Sequence, residues 1–123
     1  MIVLLIFIHK MIKKYLNKEV EVVMDRKLGS KHPKYDWTYP INYGFIPNTT
    51  QGDGEEIDAY CIGPVEPLDK FTGTCVAYIQ RSDDTGDCKL IVVDDKNLDI
   101  TDEEILKVVN FQEQFFSPVV IRS

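Results

Sequence analysis

Only one stretch of this chain, beginning at Thr101, carries clear helical spacing. The apolar runs between residue 19 and that point are short, and they stop at proline, glycine or acidic turns. Short strands joined by tight turns must pair with one another, and one helix can cover only one side of the sheet they make. Residues 19 to 24 alternate as a strand. Residues 37 to 47 are aromatic-rich and broken by Pro40, Gly44 and Pro47, which predicts short or edge strands with bends. Residues 56 to 62 predict a strand with Glu56, Asp58, Tyr60 and Ile62 on one face and Ile57, Ala59 and Cys61 on the other. Residues 74 to 81 and 88 to 93 predict two more strands, joined by a tip at 82 to 87. Thr101-Asp102-Glu103-Glu104 has the capping-box form. Ile105, Val108, Val109, Gln112, Phe115 and Phe116 follow as a stripe that is apolar except at Gln112, and Pro118 is its expected end. About five or six strands and one C-terminal helix make an α+β, mainly β chain: a small β-barrel or a curled sheet with the helix packed on it.

The 123 residues suit a single domain, 1–123. A formal net charge of -6 argues against a nucleic-acid partner and against an anionic membrane surface. Cys61, Cys75 and Cys88 lie in apolar runs without metal-ligand spacing, as buried thiols do in a reducing compartment. Residues 2 to 8 are apolar but too few to span a bilayer, and Lys10, Lys13 and Lys14 follow the run where a secretory signal would place basic residues before it. The expectation is a cytoplasmic protein. Met11 is an alternative start, which would make residues 1–10 an upstream extension.

Chemistry concentrates in Asp53-Gly54-Glu55-Glu56-Ile57-Asp58. Carboxylates converging at one strand end repel one another until a cation neutralises them, and Mg²⁺ favours carboxylate oxygen. Asp83, Asp84 and Asp87 form a second acidic group at the 82–87 tip, where solvated turn residues are the plainer reading. Asp58 is different, because it lies among apolar neighbours where an unpaired carboxylate is costly. Acids together with Arg26, Lys31, Lys89 and a tyrosine suit a phosphate ester or anhydride, with metals bridging carboxylate to phosphate and basic groups holding the remaining oxygens.

These motifs, in this order, resemble the soluble inorganic pyrophosphatases. The segment 53–58 is similar to the family's Asp-x-Asp-x-x-Asp signature. Tyr39-Pro40-Ile41-Asn42-Tyr43-Gly44-Phe45-Ile46 is similar to its stretch ending in Asn-Tyr-Gly-Phe-Ile, and residues 82 to 90 to its second acidic loop, ending in Asp-x-Lys-Leu. The resemblance implies an OB-like β-barrel and Mg²⁺-dependent hydrolysis of pyrophosphate, by in-line attack of metal-bound hydroxide without a phosphoenzyme. It implies metal ligation by Asp53, Asp58, Asp83 and Asp87. Glu55 stands at the general-base position, with Asp58 completing the catalytic pair, and Tyr43 and Lys89 bind phosphate. Arg26 and Lys31 are candidates for the family's other phosphate-binding cations. The bacterial members self-associate, so a homo-oligomer is a further expectation. Three departures stand out: Glu55 replaces an aspartate, the second acidic loop is one residue shorter, and residues 111 to 116 lack the Tyr-Lys pair that the family's last helix brings to phosphate. Those losses leave room for basic groups supplied from elsewhere, for another small phosphate compound as substrate, or for a non-catalytic OB-like module that binds metal, phosphate or a partner.

Overall fold

The computed structural model describes residues 10–50, 55–81 and 87–123. Six strands form one sheet: β1 (Glu19–Arg26), β2 (Asn42–Phe45), β3 (Asp58–Ile62), β4 (Lys70–Arg81), β5 (Cys88–Val93) and β6 (Pro118–Ile121). The neighbours run β1-β2-β3-β5-β4-β6, and β4 also pairs with β1, so the first five strands close on themselves. This is the OB-like barrel. The pairings are antiparallel except β3 with β5, which are parallel. A 3-10 turn at Asp95–Asn97 leads into the helix α1 (Asp102–Glu113).

Closure depends on β4. Its first half pairs with β1 through Lys70 to Thr74, its middle with β5, and its far end with β6 through Tyr78 to Arg81. The register shifts between Cys75 and Ala77. A bulge of this kind bends a strand and breaks its strict alternation. Cys75 and Tyr78 accordingly join one core cluster, while Val76 and Ala77 both join the other.

Those two clusters are the two faces of the sheet. The inner one fills the barrel with Val20, Val22, Ala59, Cys61, Tyr78, Leu90 and Val92, and takes Ile12 from the helical residues 10–13 that precede β1. The outer one packs Tyr60, Ile62, Ile79, Ile91 and Val93 beneath Ile105 and Val109 of α1. The division of β3 expected from period-two alternation is met: Ile57, Ala59 and Cys61 face inward, Tyr60 and Ile62 outward. The three cysteines are free thiols and buried, and burial pushes Cys61 and Cys75 up to about 12.

α1 begins with the expected capping box. Thr101 Oγ1 accepts from the Glu104 amide at 3.1 Å, and Glu104 Oε1 accepts from the Thr101 amide at 3.0 Å. Its end differs from expectation. The helix stops at Glu113, and Pro118 opens β6 instead of closing the helix. Proline fits there because the first residue of a strand need not donate to the ladder. Ser117, at φ 50, makes the turn between them.

Candidate active site

The segment Asn42-Tyr43-Gly44 shows how each residue type serves a separate purpose. Asn42 is buried and ties three loop groups together. Its Oδ1 accepts from the amides of Leu28 at 3.0 Å and Leu68 at 3.1 Å, and its Nδ2 donates to the Glu66 carbonyl at 2.9 Å. Gly44 lies where β2 crosses β1; a Cβ there would come within 2.1 Å of the Val23 carbonyl oxygen. Tyr43, between them, faces outward and donates from its hydroxyl to Asp58 Oδ2 at 2.8 Å. Burial first, and the Asp58 charge second, hold the Tyr43 hydroxyl well above its usual range, so it remains a donor.

Asp58 and Lys89 are register partners on the parallel strands β3 and β5. Lys89 is only 4% exposed, and its ammonium serves two carboxylates, Asp58 Oδ2 at 2.8 Å and Asp87 Oδ1 at 2.9 Å. Such a buried cation is tolerable because both partners are at hydrogen-bond distance. Burial raises the Asp87 carboxyl above the ordinary range, even though Lys89 and Arg81 pull it down. Arg81, at the end of β4, donates from Nη1 to Asp87 at 3.0 Å. Its Nε and Nη2 donate to Glu113 at 3.0 and 2.7 Å. Glu113 has no exposed surface and also accepts from the Tyr60 hydroxyl at 2.5 Å. Gln112 donates to that hydroxyl and accepts from Tyr39. One hydrogen-bonded series thus runs Tyr43, Asp58, Lys89, Asp87, Arg81, Glu113, Tyr60, Gln112, Tyr39. Networks of this kind hold their members in one arrangement, because any unpaired member is costly.

Above this floor lies a cleft of about 520 Å³. Tyr43, Asp58, Lys89 and Arg81 come to it from the sheet, Gln112, Phe115 and Phe116 from the end of α1 and beyond, and Arg26, His32, Trp37 and Tyr39 from β1 and the loop that follows. Arg26 reaches it through a bulge. The register passes from Met24 opposite Gly44 to Arg26 opposite Tyr43, skipping Asp25. Without the extra residue Arg26 would share the inward face of Val22; with it, Arg26 shares the face of Tyr43.

Of the residues expected from the sequence, Tyr43, Asp58, Lys89 and Arg26 line one cleft, and Asp87 is bonded to its floor. Lys31 is not brought there: its side chain is 72% exposed, 3.5 Å from Asp36. Glu55 is exposed and does not line the cleft. Asp53 and Asp83 lie outside the described residues. Arg81, Glu113 and Tyr60 belong to the site although no motif in the sequence marks them. A signal existed for Glu113: Ile105, Val109 and Glu113 are spaced by four, which places a carboxylate on the buried side of the helix.

Among the described residues no group of three or more His, Cys, Asp or Glu converges as a metal site. Asp58 and Asp87 nevertheless present hard oxygen donors around one ammonium, and one or two carboxylates plus substrate phosphate oxygens are what Mg²⁺ ordinarily uses. The donor chemistry fits such an ion.

A mainly β, OB-like barrel here carries two carboxylates and two cations at the floor of an outward cleft, a set of groups suited to a phosphate ligand. The model of the family "Inorganic pyrophosphatase" matches residues 9–119. The inorganic pyrophosphatase of Rickettsia prowazekii is 28% identical over 134 residues, covering 93% of this chain and 78% of that protein. The Rickettsia conorii inorganic pyrophosphatase is 31% identical over 119 residues, covering 80% and 69%. The crystal structure of the inorganic pyrophosphatase from Ehrlichia chaffeensis matches with a TM-score of 0.63 at 20% identity, covering 84% of each chain. The chain belongs to the inorganic pyrophosphatase family. Among the described residues no helix is long and apolar enough to cross a membrane.

Proposed function

We propose that this chain hydrolyses inorganic pyrophosphate to two phosphates at the Asp58–Lys89–Asp87 end of the cleft, with magnesium as the metal. The observation that carries the reading is the pair of carboxylates sharing one buried ammonium beneath the Tyr43 hydroxyl, in a chain of this family. Asp58 and Asp87 would hold the ion, together with Asp53 and Asp83 from the two neighbouring acidic segments. Bound there, magnesium supplies Lewis-acid charge that lowers the pKa of water and draws electron density from the departing phosphate.

The side chains divide the remaining work. Lys89 lies between the carboxylates and donates to both, so it can turn its ammonium toward a phosphate oxygen once another cation shares their charge. Tyr43 stays protonated and offers a hydrogen-bond donor beside Asp58. Arg26 brings a guanidinium to the rim. Arg81, fixed by Glu113 and Asp87, supplies a cation from the sheet in a chain whose helix lacks the family's lysine. Glu55 carries the base role by its place in the motif alone, since it stands outside the cleft. Held so, these groups would align an attacking oxygen with the leaving phosphate, and positioning of that kind is most of what phosphoryl transfer asks of a protein.

Phosphate release from pyrophosphate, followed with and without Mg²⁺, tests this directly. Metal-dependent turnover is expected, and Asp58→Asn should lose more than about 100-fold while its circular dichroism is unchanged. Turnover that survives Asp58→Asn would remove this site from consideration.

A further inference from the structure

Inorganic pyrophosphate is small, polar and without an apolar surface, whereas half of this cleft is aromatic. Tyr35 and Trp37 stack at 5.0 Å between ring centres and 14° between planes. Trp37 and Phe115 stack at 5.7 Å and 16°. Three rings thus lie in near-parallel layers along one wall. Tyr35 is 58% exposed and Phe115 60% exposed, so the outer ends of the stack are open. Large apolar side chains are not ordinarily left open in a row beside a charged site.

The wall is joined to the ionic floor through rings. The ring centre of His32 lies 4.8 Å from that of Trp37 and 6.1 Å from that of Tyr39, and the centres of Tyr39 and Tyr43 are 5.7 Å apart, with the Tyr43 hydroxyl reaching Asp58. The segment after α1 adds to the contrast. Where the resemblance calls for a tyrosine and a lysine directed at phosphate, this chain brings Phe115 and Phe116 to the cleft. The Arg81 guanidinium lies 3.7 Å over the Phe116 ring, at the seam between the two halves. A cleft with cations and carboxylates at one end and open aromatic faces at the other is complementary to a ligand of the same two-part character.

The geometry points to a ring-binding subsite at the open ends of the Tyr35–Trp37–Phe115 stack, which takes the base of a nucleoside diphosphate whose phosphates occupy the Asp58–Lys89–Asp87 end. This rests on the proposed reading of that end as a pyrophosphate site, and extends its ligands to phosphoanhydrides that carry a planar ring. Stacking on aromatic side chains tolerates any base, because each has a π-face.

Trp37 is the only tryptophan in the chain, so its fluorescence reports on the wall without any turnover. The probes are methylenediphosphonate and α,β-methylene-ADP, neither of which is hydrolysed, each titrated calorimetrically and by fluorescence with Mg²⁺ present. The adenosine analogue is expected to bind about tenfold more tightly than the inorganic one and to quench Trp37. In Tyr35→Ala/Phe115→Ala, checked for an unchanged melting profile, the affinity ratio should fall to near one. Equal affinities in the parent protein, or a ratio that survives the double substitution, would overturn the subsite even if pyrophosphate is hydrolysed normally. Failure of both analogues to bind would overturn the phosphate reading and the subsite with it. Sedimentation supplies the remaining arm: an oligomer of the parent chain that dissociates in the double variant would assign the wall to a second copy and overturn the proposal.

Discussion

Lys89 and Arg81 are both cations on neighbouring strands, both nearly buried, and both bonded to Asp87. Their second partners separate them. Lys89 turns to Asp58, whose side chain is partly open to the cleft. Arg81 turns to Glu113, which is sealed on the buried side of α1 against Tyr60. A cation whose partner can meet water or a ligand can exchange that partner at small cost. One whose partner is dry cannot, because separation would leave a buried charge unpaired. The same ion-pair chemistry therefore gives an adjustable contact on one side of Asp87 and a fixed clamp on the other.

The comparison breaks most visibly at the clamp. Glu113→Gln removes the two-point carboxylate partner of Arg81 and leaves Asp87 as its one remaining carboxylate, which should cost about 3 kcal/mol in urea unfolding at neutral pH. A loss below about 1 kcal/mol would mean that Asp87 alone satisfies Arg81. Lys89→Met should cost less, about 1–2 kcal/mol, since Asp58 retains contact with solvent. Its deficit should also shrink when Mg²⁺ is added, because a second cation can stand between Asp58 and Asp87, whereas the Glu113→Gln deficit should not respond. Melting temperatures of both variants across a magnesium titration would sharpen or erase that distinction.

The smallest effect belongs to the barrel interior, which serves as an uncharged reference. Cys61 and Cys75 are raised by burial from 9.0 to about 12. A thiol whose folded value lies above its unfolded one contributes stability that is intact below pH 9 and is lost as the pH climbs toward 12. Native protein should accordingly react with a maleimide at pH 8 only as fast as it opens, and at full speed in urea. Fast labelling without denaturant would contradict the burial of these two sites.

The faces of β3, the span of β5, the capping box and the cost of an unpaired Asp58 are legible in the sequence, because each is a local pattern with a physical cause, while Tyr43 follows from the motif resemblance. What escaped it depends on count or on distance. Parity along β1 assigns Arg26 to the inner face, and only the bulge at Asp25 turns it outward. Parity along β4 fails for the same reason near Val76. Arg81 and Glu113 are separated by 32 positions, and neither can be recognised as buried until the helix is laid on the sheet. Lys31 shows the converse: its charge and loop suit phosphate, yet its neighbour Asp36 and its open position keep it at the surface.

One consequence follows from where β6 lies. Pro118 is opposite Arg81 in the pairing of β6 with β4, while Glu113, at the last turn of α1, grips the side chain of that same arginine. The connection 114–117 must satisfy both tethers at once. Adding or deleting a single residue there would slide β6 along β4 and turn its side chains over, so that one tether could be kept only by releasing the other. The short connection acts as a ruler, and the fold measures its length more strictly than its chemistry.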